Sequence, residues 1–100
     1  MNPHRGEAAL ELFGERWTVR PSFEALVAAE EELGPLFDLI DRAAAGRLKL
    51  SELAALIWHC LAARPEGLTR AAFGEALIGL GLARLTPVLR AIVAQALNGR

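Results

Sequence analysis

Along the first twenty residues, apolar side chains recur at every second position. Leu10 and Leu12 alternate with Glu11; after Gly14-Glu15, Trp17 and Val19 alternate with Arg16, Thr18 and Arg20. A period of two belongs to a strand with one buried face. Two such runs around a Gly-X pair predict a hairpin over 8–20 with a type II′ turn at Gly14-Glu15, because glycine reaches positive φ without a steric penalty. Pairing Phe13 with Arg16 sets Leu12 opposite Trp17 and Leu10 opposite Val19 on one face. Glu11 then faces Thr18, and Ala9 faces Arg20, on the other. A lone hairpin is marginal in water, so its apolar face needs cover from the segments that follow.

After Pro21 the period changes to that of helices. Ser22 reads as an N-cap with Glu24 in the first turn, and the helix runs to Leu33 before Gly34-Pro35, with Phe23, Leu26, Val27 and Leu33 as its apolar stripe. A second helix starts at Pro35, carries Leu36, Ile40, Ala43 and Ala44 inward, and ends at Gly46. A third begins after Ser51, read as its cap. Leu53, Leu56, Ile57, Cys60 and Leu61 form its stripe, Trp58 flanks it, and alanines fill most of the rest. A helix apolar nearly all round belongs at the centre of the fold.

Arg64-Pro65-Glu66-Gly67 breaks the chain. Thr69 then caps a fourth helix, with Leu68 and Phe73 at the spacing of a hydrophobic staple and Phe73, Ala76, Leu77 and Leu80 inward. The last helix starts near Thr86-Pro87, or a turn earlier at Ala83, and shows Leu85, Val88, Leu89, Ile92, Val93, Ala96 and Leu97. The expected class is α+β, mainly α: an N-terminal β-hairpin packed on a bundle of about five short helices. A single domain spans 1–100, with 1–7 flexible, 8–20 the hairpin and 22–99 the bundle.

Composition adds one unusual feature. Apolar residues make up 53% of the 100, and nine glycines bring the share to 62%, against about 45–50% in ordinary domains. Mean hydropathy is +0.28. Disorder is excluded, and apolar surface beyond one core predicts a partner. Neither a signal peptide nor a span of about 20 apolar residues is visible, so a cytoplasmic protein off the membrane is expected.

Charge argues against nucleic acid. The net charge is −1. Residues 1–20 are neutral, 21–60 carry −4 and 61–100 carry +3. The basic excess (Arg64, Arg70, Arg84, Arg90 and Arg100) is scattered and lacks interleaved aromatics. The same division could orient copies or partners by opposite charge.

Catalytic chemistry finds no constellation. Ser22 and Ser51 read as caps, and His4 lies in a frayed terminus. His59 and Cys60 are adjacent on a helix and so point about 100° apart. Two histidines and one cysteine fall short of a zinc pattern. No catalytic, cofactor or metal residue is expected. Glu30 is singled out for another reason. It lies seven positions after Phe23 and four after Leu26, in the middle of the predicted apolar stripe. A carboxylate there would be a buried structural charge, and burial demands a partner: the Trp17 indole, Arg20 or Arg42.

Asn2-x-x-Arg5-Gly6-Glu7, the Gly14 turn, Arg16-Trp17-Thr18-Val19-Arg20-Pro21-Ser22-Phe23-Glu24-Ala25-Leu26, Glu30, Gly34 and Ala45-Gly46-Arg47-Leu48 together resemble the tail assembly chaperone family of phages and gene transfer agents, also labelled tail tube protein. Residues 2–48 carry the likeness, and the C-terminal half agrees as alanine- and leucine-rich helices. The resemblance implies a non-enzymatic chaperone or adaptor that binds the tape measure protein and assists tail tube assembly. Its implied partners are the tape measure and tail tube proteins, with homo-oligomers as a further option, and its implied setting is the bacterial cytoplasm or an assembly intermediate of the particle. The alternatives are a structural tail-tube component and a small helical regulatory DNA-binding domain. Candidate partner contacts are apolar residues off the inferred stripes: Ile78, Phe37, Phe13 and Trp58.

Overall fold

The computed structural model describes residues 7–99; the expectations for Met1 to Gly6, including the frayed His4, lie outside the described residues. Glu7, grouped above with a flexible terminus, is tied down: Arg20 Nε donates to its Oε2 at 2.7 Å.

The hairpin comprises β1 (Ala8–Leu12) and β2 (Glu15–Val19), antiparallel, followed by α1 (Phe23–Leu33), α2 (Leu36–Ala44), α3 (Leu50–Cys60), α4 (Arg70–Leu80) and α5 (Leu82–Asn98). Its register differs from the predicted one by two residues. Leu10 pairs with Trp17, Ala8 with Val19 and Leu12 with Glu15. The turn is therefore Phe13-Gly14, both with positive φ (55° and 74°), the type I′ geometry that suits the twist of paired strands. A slip of two preserves facing, because side chains alternate with period two. Ala8, Leu10, Leu12, Trp17 and Val19 consequently all remain buried. The observed register also lets buried Trp17 Nε1 donate to the Leu12 carbonyl at 2.9 Å.

A short third edge extends this sheet. Leu61, just past α3, bridges Val19, flanked by bonds from Arg20 N–H to the Cys60 carbonyl (2.6 Å) and from Ala62 N–H to the Thr18 carbonyl (2.9 Å). The central helix is thus anchored directly to the hairpin. Leu56, Ile57 and Cys60 of α3 are wholly buried, together with Val19, Ala29, Leu39, Phe73 and Ile92. A single core cluster runs through the hairpin and all five helices.

The caps hold at two helix starts and fail at a third. Ser22 Oγ accepts from Ala25 N–H at 3.1 Å and Thr69 Oγ1 from Ala72 N–H at 3.0 Å. Each such cap is worth about 1 kcal/mol. Ser51 is no cap: α3 starts at Leu50, and Glu52 Oε1 accepts the Lys49 N–H at 2.9 Å instead. α5 begins at Leu82, one residue before the earlier of the two expected starts, so Pro87 lies inside it rather than at its head.

Three inward assignments also change. Leu39 of α2 is fully buried while Ala44 is exposed, and Leu97 of α5 is exposed. The largest change is on α1. Its buried residues are Ala25 and Ala29, and Phe23 is 82% exposed. Small side chains at four-residue spacing let this face of α1 lie close to its neighbours, while Leu26 and Leu33 of the predicted stripe stay half-buried against the core.

Candidate interaction surface

The rotation of α1 settles Glu30. It is exposed, not buried, because the face it shares with Phe23 points outward. None of Trp17, Arg20 and Arg42 is its partner. Its Oε2 accepts the backbone N–H of Leu36 at 2.9 Å, satisfying one of the free amides at the start of α2. It is a surface tether across the Gly34-Pro35 corner.

The polar side chains that do converge make interhelical clamps. Glu32 accepts both terminal nitrogens of Arg70 (2.9 and 3.1 Å) and lies 2.8 Å from His59 Nε2, joining α1, α3 and α4. Hydrogen bonds from Arg70 and then His59 hold the Glu32 carboxyl at about 2, below its ordinary 4.5. On the other side, Arg42 Nη1 donates to Glu52 Oε1 at 2.7 Å and its Nε to Asp38 Oδ2 at 3.2 Å. The Glu52 bond is the main reason the Arg42 pKa is raised, and Arg42 in turn lowers that of Glu52. Cys60 stays a neutral thiol, pushed up to about 12 by burial. No group of three metal-ligating side chains occurs among the described residues, and His59 is engaged with Glu32 rather than Cys60.

The four candidate contacts fall into different settings. Phe37, at the second position of α2, is 82% exposed. Ile78 is 48% exposed and lines a groove of about 510 Å³ between α3 and α4, with Leu50, Ala54, Ala71, Gly74 and Glu75. Phe13 is 59% exposed at the hairpin turn, its ring tilted on Trp17 at 6.0 Å. Trp58 is half-buried: its edge meets Phe73 at 5.5 Å, and the Arg64 and Arg70 guanidinium groups lie 5.2 and 5.3 Å from its ring. Trp58 thus packs within the clamp, and neither Phe13 nor Phe37 lines the Ile78 groove.

Sequence reasoning missed Phe23, Leu50, Leu82 and Leu97 as exposed apolar residues. For Phe23 a signal was present. A glutamate seven residues on, in line with it, marks a face that meets water. No helix among the described residues is long and apolar enough to cross a membrane.

No curated protein and no solved structure matches the chain. A family profile described as phage tail tube protein, GTA-gp10, matches residues 5–99, including the helices after Pro65 that contribute least to the resemblance. The chain belongs to that family.

Proposed function

We propose that this protein is a non-enzymatic assembly chaperone or adaptor for the tail of a phage-like particle or gene transfer agent. It binds the tape measure protein in the bacterial cytoplasm and assists tail tube assembly. The observation that carries the reading is large apolar side chains left in solvent on separate helices, Phe37 on α2 and Ile78 beside Leu50 in the α3–α4 groove. Exposed anchors of this kind suit an amphipathic helical partner, whose apolar face fills a groove. Family membership supplies the tail setting.

Co-expression with the tape measure protein of the same particle, followed by affinity capture, tests this. The tape measure protein is expected to co-purify and to gain solubility. Phe37→Ser and Ile78→Ser should weaken capture by about tenfold or more, with melting temperatures close to wild type because both positions are exposed. Absence of capture, in a gene neighbourhood without tail proteins, would overturn the proposal.

A structural tail-tube component is the second reading, favoured by the family's own description. Mass spectrometry of purified particles separates the two. A tube component is abundant in finished tails, whereas a chaperone is lost from them.

A further inference from the structure

α4 carries glycine at two interior positions, Gly74 and Gly79. Glycine is the poorest helix former after proline, because ordering it costs the most backbone freedom. Neither position needs it for the fold. Neither has positive φ, and a Cβ at either would meet nothing within 4 Å. No neighbouring element of this chain therefore requires the missing side chain.

The two glycines differ in where they stand. Ala71, Gly74, Glu75 and Ile78 recur at helical spacing along one face of α4, and with Leu50 and Ala54 of α3 they line the groove of about 510 Å³. Gly79 lies outside it. Gly74 and Ala54 are half-buried, whereas Leu50 and Ile78 are exposed, so a small-residue bottom lies between two bulky lips. The charged group of the lining is Glu75, exposed and without an ion-pair partner among the described residues. Residues at this spacing extend along α4 for about 10 Å, or two turns. An apolar cavity of about 150 Å³ accommodates benzene, so the groove has room for about three side chains of that size. An occupant must supply them in a row over two turns, as the apolar face of a helix does.

We propose that the groove receives a basic amphipathic helix of a second protein, which crosses α4 at Gly74. A large aliphatic side chain of that helix seats over Gly74, between Leu50 and Ile78, and a lysine or arginine pairs with Glu75. The absent side chain at position 74 is what admits the helix, since small residues let helix backbones approach closely. Glu75 selects its charge: an acid at the same place would set like charges together. The contact rests on the chaperone reading for the identity of the second protein, and adds to it the point of entry and the chemistry of the segment that enters.

Capture of the tape measure protein of the same particle, co-expressed with wild type and variants, tests the contact. Gly74→Leu puts a side chain into the groove and should weaken capture by about tenfold or more. Gly79→Leu makes the same exchange on α4 outside the groove and should capture as wild type does. Both variants should melt at or above the wild-type temperature, because leucine replaces glycine within a helix where nothing obstructs it. Glu75→Lys, at an exposed position, should also cost about tenfold or more, with Glu75→Gln costing less. Exchanging the opposing base of the captured segment for glutamate should restore binding to Glu75→Lys. Without the partner, Gly74→Leu should sediment as wild type does. Capture that survives both Gly74→Leu and Glu75→Lys, yet is lost in Phe37→Ser, overturns this contact and leaves the chaperone reading standing. Equal loss in Gly74→Leu and Gly79→Leu overturns it too. A change in the mass of Gly74→Leu alone would put a second copy of the chain in the groove, again overturning it. Absence of capture by wild type overturns both the contact and the reading beneath it.

Discussion

Glu30 and Glu32 lie two residues apart on α1 and do different work. Glu30 gives one oxygen to a backbone amide at the helix corner, while Glu32 collects Arg70 and His59. The Glu32 carboxyl titrates at about 2 rather than 4.5. A folded-state pKa below the unfolded one contributes stability that is present above the unfolded pKa and is lost as pH falls through the folded pKa. The clamp should therefore weaken between about pH 4.5 and pH 2. The side chains of Glu32 and Arg70 are 40% and 41% exposed, so solvent limits the gain to about 1 kcal/mol or less. Glu32→Gln is expected to cost no more than that at neutral pH in urea denaturation, with the difference from wild type shrinking toward zero at the acid end. A difference independent of pH would assign the effect to lost packing instead.

At the scale of elements, the hairpin shows what a pattern specifies and what it leaves open. Alternation identified both strands and their buried face. It did not choose between registers two residues apart, because both bury the same side chains. The choice depends on turn geometry and on the Trp17–Leu12 hydrogen bond, neither of which hydrophobic spacing encodes. Phe13 sits at φ 55°, where a bulky side chain is disfavoured and asparagine is at home. Phe13→Asn should thus leave stability unchanged or raise it despite losing the ring contact with Trp17, whereas Gly14→Ala, at φ 74°, should cost about 1 kcal/mol. Chemical denaturation of both variants checks the turn: under the alternative pairing, residue 13 would belong to a strand and asparagine there would destabilise. α1 follows the same logic. Its cap and length were legible from Ser22 and Gly34-Pro35, but bulk misled the choice of the most buried face, which belongs to Ala25 and Ala29.

At the scale of the whole molecule, the apolar excess divides between interior and surface. The radius of gyration is 12.4 Å, close to the roughly 13 Å of a compact chain of this length. Yet the accessible surface is 6111 Å², above the roughly 5,500 Å² usual for the mass. The placing of α3 at the centre was readable from its nearly all-round apolarity. The exposed helical set of Phe23, Phe37, Leu50, Ile78, Leu82 and Leu97 was only partly so, because facing depends on which neighbour each helix meets. Cys60 tests whether the hairpin and helices behave as one cooperative unit. It lies at their junction, fully buried at the end of α3, with its carbonyl bonded to Arg20 N–H. Burial keeps its thiol neutral up to about 12, and the thiolate is the species that reacts. A thiol reagent should therefore label Cys60 only through opening of the core. The denaturant dependence of labelling, measured where reclosing outpaces reaction, should give the same unfolding free energy as Trp17 and Trp58 fluorescence. A markedly smaller value from labelling would mean that the α3–hairpin junction opens while the remaining helices stay packed, and the chain would then fold as two units rather than one.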